Sequence, residues 1–318
     1  MLKVDEKVAV FRTGNKEYVP MMLASLGIAT MKNPFDGWII TDANDQETKD
    51  LIKKCNIGYI EQHLGDYFKE KDINDNWPSH SFWWASGPEV FKDLGYKYSL
   101  FLDADVYANR MISFDIFNDD LQIAACSYKE KAYNSGVVFF NNENVSRLWP
   151  AFCNNYTGMS TLLFQAWHGG KVHDQQVLTS LDSESEFGEF LGKPYHFDIE
   201  NLNVLWNYDW KTREGVNDQY TKQSYERLKT SVYFAHFANS KPWLGLSGWG
   251  SKHHGLFKNE EHPFGWPEKQ GTEPIPLTRI KFIEDWRSDV RKFEKANGVT
   301  LFNEFEPLDE IREFYEKG

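Results

Sequence analysis

"KYSLFLDADVYANRM" (residues 97–111) decides how this chain is read. Tyr98 to Leu102 form a short apolar run rich in aromatic residues, the pattern of a buried strand, and the run ends directly in Asp103 and Asp105. Alternation along an extended backbone puts both carboxylates on the same side. Like charges that close repel, so the pair either faces water or shares a cation, and Mg²⁺ and Mn²⁺ both favour such oxygen ligands. An aspartate pair after a strand also serves as a solvated turn that caps the next segment. The rest of the chain has to decide between the two.

Upstream, "KVAVFRT" (7–13) reads as a strand, and the apolar residues Val19, Met22, Leu23, Leu26 and Ile28 then recur at helical spacing before the strand "GWIIT" (37–41). "ETKDLIKKCN" (47–56) as helix and "GYIEQHL" (58–64) as strand repeat that unit, and a helical stretch from about Ser79 to Leu94 leads into the opening strand. This alternation predicts an α/β fold with a Rossmann-like, mostly parallel sheet flanked by helices, and with ligand chemistry at the carboxyl ends of the strands. The aspartate pair sits at such an end.

Downstream come the strands "LQIAACS" (121–127) and "GVVFFNN" (136–142), a helix near "VSRLWPAFCNNY" (145–156) and a strand in "TSVYFAHFA" (230–238). Residues 182 to 230 are polar, aromatic and irregular, which predicts loops over the sheet edge. "RIKFIEDWRSDVRKFEKANG" (279–298) and "LDEIREFYEKG" (308–318) read as two helices. The stretch from Lys252 to Pro276 is rich in Gly, Pro and His, and it places a soft boundary near residue 260, giving a domain over 1–260 and a helical extension over 261–318.

The 318 residues can bury a sizeable core. A net charge of −12 and the lack of any dense Lys/Arg run argue against nucleic acid or an anionic membrane as partner. No run approaches the roughly 18 apolar residues of a membrane span, and "MLKVDEKVAVFRTG" lacks the pattern of a secretory signal, so a soluble, cytoplasmic protein is expected. Cys55, Cys126 and Cys153 are too scattered for a disulfide framework or a zinc site, and the sequons at Asn144 and Asn155 are then idle. Aromatic residues make up 16% of the chain, including 12 Trp, which suits either dense packing or sugar-stacking clefts.

Four pieces occur in order: "FLDADVY" (101–107), "YNSGVVFFNN" (133–142), "HDQQVLTSL" (173–181) and "HFANSKPW" (236–243). Together with the start "RTGNKEYVPMMLASL", they resemble the metal-dependent, retaining glycosyltransferases of family 8, the group that includes glycogenin and bacterial galactosyltransferases. The resemblance spans roughly residues 7 to 245. It implies a GT-A fold, a nucleotide-sugar donor (UDP-linked), a carbohydrate acceptor, and Mn²⁺ or Mg²⁺ held by Asp103, Asp105 and His236.

On the same resemblance Lys241 contacts the diphosphate, and Thr13, Asn15, Tyr18, Asp103 and Ala104 complete the nucleotide site. Asn134 and Asp174 bind the donor sugar, and Gln175 lies near the anomeric carbon. Independently of the family, Asp174 is a good helix N-cap, Gly136 suits either a close backbone approach or a tight turn, and Tyr18 suits either stacking or the core of the first helix.

The chain departs from the family pattern in three places. Asn239 stands where a glycine is usual, and Lys241 follows the histidine by five positions rather than six. Gln176 replaces an acid carried by many relatives, which leaves Asp174 as the carboxylate on that side and favours front-side attack over double displacement. Trp84 and Ser86 occupy the neighbourhood of an expected upstream Arg or Lys, for which Lys92 is a substitute candidate.

Two other readings stay open at this point. A sugar nucleotidyltransferase would use Arg12, Gly14 and Lys16 in a phosphate loop, and an inactive sugar-binding module would explain the departures. Trp206, Tyr208, Trp210, Trp243 and Trp249 suit an acceptor platform or an irregular core, and His253 and His254 suit an acceptor loop.

Overall fold

The computed structural model describes residues 7–62, 80–129, 132–162, 174–184, 196–209, 222–237, 241–243, 277–305 and 308. The expected boundary near residue 260, the second tail helix apart from Leu308, and Trp210, Asn239, Trp249, His253 and His254 lie outside them.

Seven strands form the main sheet: β1 (Val8–Thr13), β2 (Phe35–Thr41), β3 (Gly58–Glu61), β4 (Tyr98–Leu102), β6 (Ile123–Lys129), β7 (Ala132–Asn141) and β8 (Ile199–Leu202). Their order is β3-β2-β1-β4-β7-β6-β8. Pairing is parallel from β3 through β4 and between β6 and β8, while β7 runs antiparallel to both β4 and β6. A second sheet has the order β5-β10-β9, built from β5 (Val106–Ala108), β9 (Tyr208–Asp209) and β10 (Phe234–His236).

Helices cover both faces of the sheet. They are α1 (Val19–Lys32), α2 (Gln46–Lys54), α3 (His80–Asp93), α4 (Leu148–Leu162), α5 (Asp174–Ser180), α6 (Lys222–Ser231) and α7 (Leu277–Asn297). Helix α1 starts with a proline in its first turn, where the missing N–H costs nothing. Its apolar stripe of Met22, Leu23 and Leu26 packs on Val10, Leu100 and Leu102 on one face of the sheet, and Phe293 of α7 joins that layer. On the other face Trp83 and Trp84 of α3 pack with Phe101, Phe140, Phe152 and Leu178.

Trp84 stacks on Phe140 with ring centroids 5.9 Å apart, and Trp83, Trp84 and Trp286 are all fully buried. Each contributes about 2–3 kcal/mol or more of transfer free energy, so these tryptophans are packing residues.

The stretch expected to be irregular, residues 182 to 230, contains more structure than its composition suggested. Strand β8 extends the main sheet from β6, with Ile123 opposite Ile199, and α6 packs against α7. The four-residue strand has only its two end positions buried, Ile199 and Leu202, which leaves too short an alternation to read from sequence.

Candidate active site

The aspartate pair is positioned by two ladders. After β4 ends, the Asp103 amide donates to the Gly136 carbonyl at 2.8 Å and the Val106 amide donates back to the Asp103 carbonyl at 3.0 Å, which closes a tight turn around Ala104. Strand β5 then pairs antiparallel with β10, so His236 stands opposite Val106, and the Phe237 amide donates to the Asp105 carbonyl at 3.0 Å. This register brings His236 Nε2 to 3.4 Å from Asp105 Oδ1 and 3.8 Å from Asp103 Oδ2. One ligand atom from each of the three residues lies within 4.8 Å of the others.

The charges are strongly coupled. The Asp105 side chain is 6% exposed and the Asp103 side chain 36%. Lys241 Nζ donates to Asp105 Oδ2. Burial disfavours the Asp105 carboxylate, but Lys241 and His236 outweigh it and hold this group well below the usual carboxylate range. Burial, then the neighbouring Asp105, push Asp103 the other way, above that range. Lys241 is raised because Asp105 outweighs its own desolvation. Two crowded carboxylate oxygens and one imidazole nitrogen fit a divalent ion such as Mn²⁺ or Mg²⁺.

Gly136 has a specific role beside this group. A Cβ built there would lie 2.4 Å from His236 Cε1, so only glycine lets the ring approach β7. The close approach is thus that of a side chain from β10 to the backbone of β7.

The neighbouring residues of β7 form a polar wall. Asn134 Oδ1 accepts from the Gly136 amide at 2.8 Å and from Asn207 Nδ2 at 2.9 Å. Ser135 Oγ donates to Asp174 Oδ2 at 2.8 Å, which ties the first residue of α5 to the strand. Gln175 follows in the same turn, half-buried. Ser135 and Asn207 are not among the site residues expected from sequence; their hydrogen bonds to Asp174 and Asn134 join distant segments that no local pattern connects.

At the start of the chain, Thr13 ends β1 and is buried, and Asn15 is extended ahead of a 3₁₀ turn over Lys16–Tyr18. Tyr18 is 41% exposed, so the first helix does not use it as core. The basic residues of "RTGNKEY" are committed elsewhere: Lys16 pairs with Asp45 at 3.0 Å, and Arg12 is fully buried. Burial lowers Arg12 to about 9, which leaves it cationic at neutral pH.

Among the described residues, the upstream positions singled out from sequence supply no cation. Trp84 is core, and Ser86 Oγ donates to Gln62 Oε1 at 3.0 Å. Lys92 is exposed in the last turn of α3, beside the start of β4 rather than its end, so it is not the substitute considered from sequence.

The described members of the aromatic group serve packing. Trp206 stacks on Tyr233 with centroids 4.3 Å apart, Tyr208 is buried, and Trp243 sits 6.1 Å from Trp286 of α7. Arg287 Nε of the same helix donates to the Pro242 carbonyl at 3.1 Å. The C-terminal helix therefore supports the segment that carries Lys241.

This fold, a mostly parallel mixed sheet flanked by helices, is the GT-A fold. Among solved structures the chain is similar to an active-site mutant of LgtC, with a TM-score of 0.53 and 16% identity over 74% of this chain and 89% of that one. It is also similar to the galactosyltransferase LgtC in complex with donor and acceptor sugar analogs, with a TM-score of 0.50 and 16% identity over 77% of this chain and 93% of that one. The glycosyltransferase GlyE of Streptococcus pneumoniae TIGR4 gives a TM-score of 0.51 and 14% identity, over 92% of this chain but 65% of GlyE. No protein-family profile and no curated protein matches the chain. At these identities the likeness is one of fold.

Proposed function

We propose that this protein is a metal-dependent glycosyltransferase that moves a sugar from a UDP-linked donor to a hydroxyl of a carbohydrate acceptor, with retention of anomeric configuration. The observation that carries this reading is the convergence of Asp103, Asp105, His236 and Lys241 at the carboxyl end of β4. Its context is a fold shared with glycosyltransferases, one of them bound to donor and acceptor sugar analogs.

Asp103, Asp105 and His236 would hold the divalent ion, which when bound offsets the negative charge developing on the departing diphosphate. Lys241, paired with Asp105, adds a positive charge to the same group. Thr13, Asn15 and Tyr18 take the base and ribose, with the exposed Tyr18 ring as stacking face, and Asp103 and Ala104 close the nucleotide site. Asn134 and Asp174 orient the donor sugar, and Gln175 lies beside its anomeric carbon.

The acceptor oxygen attacks from the face the diphosphate leaves, and a diphosphate oxygen takes the hydroxyl proton. No strong protein base is needed for this route. A cytoplasmic location is part of the proposal; among the described residues no helix is long and apolar enough to cross a membrane.

The test is a panel of nucleotide-sugars incubated with the protein and Mn²⁺, with and without EDTA, and scored for nucleoside diphosphate. Release from one UDP-sugar that chelation abolishes is the expected result. Silence across the panel, with no Mn²⁺-dependent UDP binding, would replace this reading with that of an inactive sugar-binding module.

A further inference from the structure

Strand β1 carries an arginine in the interior. Phe11 stands opposite Phe101 in the parallel β1–β4 ladder, so Arg12 is level with Leu102, one residue short of the aspartate pair. The flanking Val10 and Phe11 belong to the two core layers, and Arg12 itself is fully buried. Its guanidinium makes one hydrogen bond, from Nη2 to the Val106 carbonyl at 3.1 Å. Nε and Nη1 have no hydrogen-bond partner among the described residues.

Val106 directly follows Asp105, and the carbonyl of Ala104, between the aspartates, accepts from Ser25 Oγ at 2.7 Å. A fixed cation therefore lies beneath the turn that presents both carboxylates. Burying a guanidinium with most of its donors unmatched is unfavourable, and an apolar side chain of similar volume would serve stability better. A cost of that kind at one position points to a role in the site.

We propose that Arg12 is a positioning residue and buried counter-charge of the donor site, which fixes the Asp103–Val106 turn through the Val106 carbonyl and supplies positive charge to the departing diphosphate from beneath. This inference rests on the glycosyl-transfer reading. Two carboxylates and a divalent ion cancel; among the described residues Lys241 is the lysine paired with Asp105, and Arg12 adds a second positive charge against the two negative charges of a donor diphosphate. The segment where the family places a further cation holds Trp84 and Ser86 in the interior.

As the bond from the anomeric carbon to the diphosphate oxygen breaks, its electron pair stays on that oxygen, the acceptor oxygen bonds the carbon, and the hydroxyl proton passes to the diphosphate. The leaving group thus gains negative charge before it gains the proton. A fixed positive charge acting through the protein at an effective dielectric of about 20 changes that step by roughly tenfold to a hundredfold.

The experiment uses the full chain with Arg12→Met and Arg12→Lys. Thermal melting, Mn²⁺ binding and UDP binding with Mn²⁺ are measured by calorimetry, alongside nucleotide release. In Arg12→Met the melting temperature is expected to hold or rise, Mn²⁺ alone to bind as well as or better than in the wild type, and UDP to bind about tenfold more weakly with Mn²⁺. Arg12→Lys should recover most of that loss.

Wild-type UDP affinity in Arg12→Met overturns the inference. So does a fall in melting temperature with parallel loss of Mn²⁺ and UDP binding that Arg12→Lys leaves unrepaired, which marks a structural residue only. If the wild-type protein itself binds no UDP with Mn²⁺, the functional reading fails first and the inference goes with it.

Discussion

On one wall of the site the charges of Asp105 and Lys241 meet with His236 in near contact, while on the other Asn134, Ser135, Asp174 and Asn207 meet through hydrogen bonds of ordinary length. The charged wall comes from the short β5–β10 ladder and a segment backed by α7. The polar wall is built into β7, a strand of the main sheet. Charges held this closely depend on their partners to offset desolvation, so losing one alters all the others. The polar wall is tied together by neutral or singly charged hydrogen bonds, and changes there should act locally.

The strongest way to break the comparison is Asp105→Asn. It removes one ligand and the partner of Lys241 while keeping the shape, and Mn²⁺-dependent nucleotide release should fall about 10²–10³-fold with circular dichroism unchanged. Full turnover in this variant would end the metal assignment. Next in size is Gly136→Ala, whose methyl group has to displace the His236 ring. We expect Mn²⁺ affinity to drop about 10- to 100-fold by calorimetry. An unchanged affinity would show that His236 is not a ligand.

Ser135→Ala probes the other wall by removing the bond to Asp174. A loss of about 1–1.5 kcal/mol, roughly tenfold in kcat, is expected with Mn²⁺ affinity preserved. If Mn²⁺ affinity fell as well, the two walls would not be independent. Arg287→Met tests the support of the Lys241 segment from α7. Losing one hydrogen bond worth about 1 kcal/mol should raise the donor KM about threefold to tenfold with kcat little changed.

Smallest of all is Asp45→Ala, far from both walls. Asp45 caps α2, and its bond from the Thr48 amide, then Lys16, lower its carboxyl to about 2. A group depressed in the folded state stabilises above its unfolded pKa and loses that contribution as pH falls through the folded value. The melting-temperature gap to wild type should therefore be full at pH 5 and close by about pH 2, with nucleotide release unaffected at neutral pH. A gap that persists at pH 2 would rule out the cap as its source.

Much of this was legible in the chain. Val8–Thr13, Phe35–Thr41 and Tyr98–Leu102 announce themselves as apolar runs between turn residues, and the aspartates fall where such a strand ends. Asn134, Asp174 and His236 follow from the family resemblance, and the fold gathers them because β7, the helix from Asp174 and β10 all end or begin at one rim. Side-chain partnerships between distant segments were not legible. Nothing local to Gly136 reveals that an imidazole from β10 rests on it, and nothing near Ser135 announces its bond to Asp174. Arg12 falls within the strand expected over 7–13, and is a phosphate-loop cation only under the nucleotidyltransferase alternative; β1 is buried along its whole length, so the arginine is interior. Strand β8 was missed because two buried residues at its ends leave no period to count.

The link between Tyr107 and α7 bears on how the protein is made. Tyr107, two positions after Asp105, donates to Asp289 at 2.8 Å across 182 positions of sequence, and Lys32 reaches the same carboxylate at 2.6 Å. Closing so wide a loop is slow, because its entropy is lost before any contact is gained. On the ribosome the strands that carry the aspartates emerge long before the helix that braces them. A nascent chain stopped short of residue 277 would have its aspartate pair in hand and no buttress for the lysine that pairs with it.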